Sequence, residues 1–399
     1  MLYAHFYALY QRKKCQHRLC LDKVTEIKRW EISYGTVYID VFLHSFRTFA
    51  HKQGNLLCVQ MKTSLYRHRL KQFPPLPTSR ASITIPDSLK STLSGQPFLM
   101  EAAPNNDYLL FCSPHNLVLL CSADVIAMDG TFDACPPQYS GGQMFTIHAF
   151  EQGKLLPLVY CLASTKSREF YVSVFDTLKR EALRIGLVFN PTTVLSDFES
   201  GLIPAVAASF PQATHRGCHF HFCQAIYRNV QRLGLVGAYE SQPEIRLQVR
   251  QLMALAFLPI AIVRLTFSNL EAQSDPLLQP LFQYFRQQWL TAVPTRLWNV
   301  SGEDIRTNND CEGWHVRFNN AINKHHPNIW KFLACLLNEQ ASVEVVHQQL
   351  LAGRRARRHN SKYVSVQKRL RTLKARYDNG RMSAIDYITG VSHNLAERH

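Results

Sequence analysis

The sequence predicts an α/β protein: a mixed five-stranded sheet with flanking helices and an all-α insertion before the last helical part of the core. Three observations carry this. Apolar runs at 125–131, 144–150 and 156–163 are joined by turn-rich links, as in a three-strand meander. A helical stretch follows, with Phe170, Val174 and Leu178 on one face, and then a short apolar run at 194–195. From 222 to 300 the apolar spacing is helical throughout, with no strong strand between.

Taken in order, the pieces break as follows. Residues 56–73 have the spacing of a basic helix, stopped by Pro74-Pro-Leu-Pro77. Residues 78–124 are short apolar pieces interrupted by Pro86, Ser94-Gly95 and Pro104, including strand candidates at 108–112 and 117–121. After the meander and its helix, a strand ends at Asp197, a helix runs through 205–208, and 213–222 is a fifth strand candidate. This order, β-β-β-α-β-α-β, is that of an RNase H-like mixed sheet. Helices at 224–235, 244–258, 261–270 and 277–290 make the insertion. A long helix near Asp310, broken at Pro327, continues through 330–351, and a basic helix at 364–377 and a last short helix close the chain. The expected organisation is a basic N-terminal region at 1–77 and the first part of the core at 78–221. The helical insertion follows at 222–305, core completion at 306–351 and a basic tail at 352–399.

Composition narrows the partners. Lys plus Arg is 45 and Asp plus Glu is 29, a net charge of +16, which favours a polyanion such as nucleic acid. At 46% hydrophobic residues the chain is not a disordered one. No run is apolar enough to span a bilayer, and the charges near the start follow a short aromatic patch, unlike a secretory signal. Eleven cysteines without a framework read as reduced thiols. Cys15, His17 and Cys20 lack a clean second ligand pair, so zinc is not expected there.

Three acids stand out. Asp129 ends the run Val125-Ile-Ala-Met and is followed by Gly130; Asp197 ends the later short run; Glu312 lies near the start of the long helix. With the first and fourth strands side by side, Asp129 and Asp197 become neighbours, and a helix crossing the sheet brings the third acid. Three carboxylates of this kind suit a pair of hard divalent cations, Mg²⁺ or Mn²⁺, acting on phosphodiesters. Each acid also has a plain structural account. Asp129 opens a turn, Ser196 and Glu199 form a capping box, and Glu312 favours the helix dipole. Gly313, inside that helix, suggests the close approach of another element or of substrate. Cys218 and His221 have C-x-x-H spacing, with His215 and Cys223 as candidate further zinc ligands; packing or hydrogen bonding is the simpler role. Trp314-His315 either packs on the core or stacks on a base. Arg67, Arg69, Lys71, Arg354, Arg355, Arg357 and Arg358 are candidate phosphate contacts or solvated faces.

Several motifs together resemble the transposases of Mutator-like elements, the MULE transposase domain. They are Met128-Asp129-Gly-Thr-Phe132, Pro157-Leu-Val-Tyr160, Leu195-Ser-Asp197-Phe-Glu-Ser200, and Gly217-Cys218-His-Phe-His221-Phe-Cys-Gln224. Arg306-Thr-Asn-Asn309 through Glu312-Gly-Trp-His315 and His326-Pro-Asn-Ile-Trp330 are similar to the third-acid region of animal members. The resemblance spans about residues 75–390. It implies a DDE core with Asp129, Asp197 and Glu312 as catalytic, metal-binding acids and Cys218 and His221 as an accessory pair. It implies DNA strand cleavage and strand transfer in the nucleus, by a homo-oligomer on element ends and target DNA. The 1–77 region departs from the family pattern: it holds at most a degenerate FLYWCH-like or other DNA-binding segment. Gly141-Gly142 looks like an extra insertion before the second strand. The rival reading is a domesticated, non-catalytic DNA-binding protein derived from such an element.

Overall fold

Val125-Ile-Ala-Met is apolar and rich in strand formers, and it becomes part of a central strand. The computed structural model describes residues 73–303, 305–323, 325–353 and 361–395. The chain divides into two units, Met1–Pro75 and Leu76–His399, and all elements below belong to the second. The expectations at Cys15, His17, Cys20, Arg67, Arg69 and Lys71 lie outside the described residues, as do those at Arg354, Arg355, Arg357 and Arg358.

The strands are β1 (Leu99–Ala102), β2 (Tyr108–Phe111), β3 (Val125–Thr131), β4 (Gln143–Glu151), β5 (Lys154–Ala163), β6 (Thr193–Ser196) and β7 (Thr214–Gly217). They form one sheet in the order β1-β2-β5-β4-β3-β6-β7. The meander β3-β4-β5 is antiparallel, whereas β3–β6 and β6–β7 are parallel. The sheet therefore has seven strands, not the expected five. β1 and β2 add to the β5 edge, with Tyr108 opposite Ala163 and Phe111 opposite Tyr160, and cover backbone groups that would otherwise be open to pairing. Gly142 precedes β4 so close to the end of β5 that a Cβ there would lie 1.9 Å from the Ala163 carbonyl oxygen. The Gly141-Gly142 pair is thus a fitted entry to the strand.

Two expected strands change. Residues 117–121 are helical, within α1 (Pro114–Ser122), because Ser113 Oγ caps the helix by accepting from Asn116 N and Pro114 takes its first position. The fifth strand stops at Gly217, and α4 (His219–Arg232) begins at once with Cys218 as its cap residue. Between them lie α2 (Arg168–Arg184) and α3 (Leu202–Ser209). The capping box at Ser196 is not formed: Ser196 stays in β6, its hydroxyl bonded to Asp197 O and His215 Nε2, and α3 starts after Gly201.

Strand alternation sorts the core. Ile126 and Met128 face the apolar layer shared with α1, α2 and α3. Ala127 points to the other face, where it packs with Leu195 and Cys311 of α10 (Asn309–Ile322). Asp129, two residues on from Ala127, shares that face. α10 ends at Asn323 in the left-handed conformation, and α11 (Ile329–Leu351) restarts with Asn328 Oδ1 accepting from Lys331 N.

The insertion is helical as expected: α5 (Val236–Ser241), α6 (Pro243–Ala254), α7 (Ile260–Ala272), α8 (Gln279–Phe285), a π-helical turn at Arg286–Ala292, and α9 (Thr295–Trp298). Its core also buries Tyr387, Ile388 and Val391 of α13 (Ala384–Ser392), which follows α12 (Ser361–Asp378). Arg250 ties α13 down: Nε donates to Ser392 O at 2.8 Å and an Nη to Leu395 O at 2.7 Å. Arg250→Ala strips both carbonyls of a charged donor and is expected to cost about 2–3 kcal/mol. A drop in the urea midpoint, with faster proteolysis at α13, checks this.

Candidate active site

The parallel pairing of β3 and β6 sets the first two acids. Ala127 lies opposite Leu195, so Asp129 and Asp197 come at matching places two residues later. Asp129 is still inside β3 and does not open a turn; its Oδ1 accepts from Gly130 N at 2.9 Å. A Cβ at Gly130 would meet Gln143 Oε1 at 2.3 Å, which is why the residue after the acid is small.

Glu312 sits in the first turn of α10 and is brought to the aspartates by the chain before it. That chain is pinned to the start of α4: His219 N donates to Arg306 O at 2.9 Å and Asn308 N to Cys218 Sγ at 3.5 Å. Asn308 also donates from Nδ2 to Asp197 Oδ1 at 3.3 Å. The C-x-x-H pair thus divides its labour. Cys218, fully buried, braces the entry to α10. His221, in the first turn of α4, lies between two acids, Nδ1 at 2.6 Å from Asp197 Oδ1 and Nε2 at 3.3 Å from Glu312 Oε1. Gly313 has open space where a Cβ would stand, so no close element explains it.

Asp129, Asp197 and His221 present ligand atoms within 4.8 Å of one another, and so do Cys218, His221 and Glu312. The two groups share His221, which joins all three acids into one cluster. Glu312 Oε1 and Asn308 Oδ1 are buried without an aligned hydrogen-bond partner. Enclosed polar atoms in that condition are costly, and a cation offsets the cost. The carboxylate oxygens form a donor set that accepts a hard divalent metal. The expected zinc alternatives at His215 and Cys223 do not join: His215 bonds Ser196, and Cys223 lies against His219.

Electrostatics agree with crowding. Burial raises the Asp197 carboxyl above its usual range, His221 lowers it, and Asp129 raises it again. Glu312 is raised first by burial, against the pull of His221, and further by Asp129 and Asp197. For His221, burial disfavours the cation, but Asp197 and Cys218 outweigh it and push the ring up to about 11. Like charges held this close favour a shared counter-cation.

At the rim, Phe132 is 47% exposed, with Lys166 Nζ 3.7 Å from its ring centroid and 3.7 Å from Glu199 Oε1. Glu199 accepts from the Tyr171 hydroxyl, which in turn accepts from Gln143 Nε2 at 2.6 Å.

Residues 125–225 match the model of the MULE transposase domain. Those residues are thus a MULE transposase domain, the domain of Mutator-like transposases. No curated protein matches it. The MULE domain covers β3 to the first half of α4, and so carries Asp129, Asp197, Cys218 and His221 but not Glu312. Glu312 reaches the MULE site from beyond the helical insertion. Sequence reasoning missed Asn308, Thr146 and a direct role for His315 beside these residues. For His315 a signal was present: it follows Glu312 by three positions and therefore shares its helix face. No described helix is long and apolar enough to cross a membrane.

Proposed function

We propose that this protein is a DDE-type transposase on an RNase H-like core, performing divalent-metal-dependent DNA strand cleavage and strand transfer. The single observation that carries the reading is the convergence of Asp129, Asp197 and Glu312 on His221 from two adjacent strands and a helix far along the chain. The order β5-β4-β3-β6-β7, with its antiparallel and parallel pairings, supports the RNase H-like assignment. Asp129, Asp197 and Glu312 would hold Mg²⁺ or Mn²⁺, a pair of which activates an attacking oxygen and stabilises the leaving one. His221 holds the second and third acids in reach of each other, and the Asn308 amide steadies Asp197. The +16 charge supports DNA as the substrate, with the basic stretches at 63–73 and 354–376 as phosphate contacts. Nuclear work and a homo-oligomer on DNA belong to the same proposal. Three acids gathered in one place support catalysis over a DNA-binding role alone.

The test uses full-length protein and supercoiled plasmid. Nicked circles are expected with Mg²⁺ or Mn²⁺, none with EDTA, and almost none with Glu312→Gln. Joined products separate strand transfer from simple nuclease action. Metal-independent nicking, or nicking unchanged in Glu312→Gln, overturns the proposal.

A further inference from the structure

A buried polar track runs behind Asp129. Thr146 lies directly across from Asp129 in the β3–β4 ladder, and His148 follows two residues later on the same face. Thr146 Oγ1 is 3.0 Å from His148 Nε2, 3.2 Å from His315 Nε2 and 3.2 Å from Asp129 O. His315 Nδ1 then stands 3.3 Å from Asp129 Oδ2, the two side chains being 8% and 4% exposed. Trp314 seals the track: its ring meets His148 edge-on at 5.6 Å, and its Nε1 donates to Glu339 Oε1 at 2.6 Å.

The proton positions follow from counting donors. His148 is fully enclosed, and burial, then His315 and Arg317, holds it neutral, with its pKa well below 6.5. Its Nδ1 has no partner, so its one ring proton belongs on Nε2, where it donates to Thr146 Oγ1. Thr146 donates its own proton to Asp129 O, and His315 is seated between that hydroxyl and the acid, with Nε2 toward Thr146 Oγ1 and Nδ1 toward Asp129 Oδ2.

We propose that His315 is a positioning residue for Asp129: seated against the Thr146 hydroxyl, it turns Nδ1 to Asp129 Oδ2 and holds the carboxylate in one rotation for the cation. A carboxylate held this way before the metal arrives loses less freedom on binding it, and removing such outer partners weakens metal affinity about 10–100-fold. The proposal rests on the metal reading above. α10 then contributes twice, with Glu312 as ligand and His315, one turn on, as the hand on Asp129.

The test measures Mn²⁺ binding by the electron spin resonance signal of the free ion, with circular dichroism as the check on folding. His315→Ala and Thr146→Val are expected to raise the Mn²⁺ Kd, the former by about 10–100-fold. Asn carries its amide near the place of Nδ1 and Gln near that of Nε2. His315→Asn should therefore bind close to wild type and His315→Gln should not, while Thr146→Ser, keeping the hydroxyl, should rescue. Nitrogen-15 spectra should show a hydrogen-bonded Nδ1–H on His315 in the wild type and its weakening in Thr146→Val. Folded His315→Ala that binds Mn²⁺ like wild type, while Asp129→Asn does not, overturns this proposal alone. Wild type that takes up no Mn²⁺ overturns the metal reading and this proposal with it.

Discussion

Asp129→Asn is expected to abolish metal-dependent nicking, with a loss of about 10³-fold or more. The substitution is nearly isosteric, so the β3 ladder and the Gly130 N contact survive, and only charge and one ligand oxygen are lost. A metal ligand contributes several kcal/mol of transition-state stabilisation, and each 1.36 kcal/mol is about tenfold in rate. The variant should unfold at the same urea concentration as wild type, or slightly higher, because it removes one of three crowded acids. Nicking within a few-fold of wild type would show that Asp129 does not bind a required cation.

Trp298→Ala is expected to give the largest loss of stability, about 3–5 kcal/mol, plus about 1 kcal/mol for the carbonyl it orphans. Trp298 is fully buried at the centre of the insertion, stacked on Phe222 at 5.0 Å and edge-on to Phe285, with Nε1 donating to Trp289 O at 2.8 Å. Its loss reaches the site. Trp289 meets Phe198 edge-on at 5.0 Å, and Phe198, the residue after Asp197, fills the space a Cβ at Gly217 would need. The insertion thus braces the loop carrying the second acid. Against a typical total of about 5–15 kcal/mol, this change alone puts folding at risk. Urea unfolding followed by circular dichroism reads the effect; an unchanged midpoint would contradict this account of the insertion core.

Much of the site was legible because its signals are local. Val125-Ile-Ala-Met states its own strand, and β3 spans the expected 125–131. The insertion, the Pro327 break and the paired last helices also follow from spacing and stop signals. What was not legible depends on a local cap at one place and on partners distant in sequence elsewhere. The run 117–121 is too short to tell a buried strand from a helix, and the capping Ser113 decides it. β1 has no periodicity of its own and exists because β2 offers it an edge. Asp129 reads alone as a turn residue, and only the continuing ladder to Thr131 excludes that. His221 was legible as part of a spacing motif, but its position between Asp197 and Glu312 is set by the return of the chain at Arg306 and Asn308.

The most direct measurement of the central claim is anomalous diffraction from crystals of the full chain grown with Mn²⁺. The account predicts an anomalous peak bounded by the carboxylates of Asp129 and Asp197, with Glu312 in the same cluster. Ordered density for all three acids with no peak among them, or manganese bound only elsewhere, would contradict it.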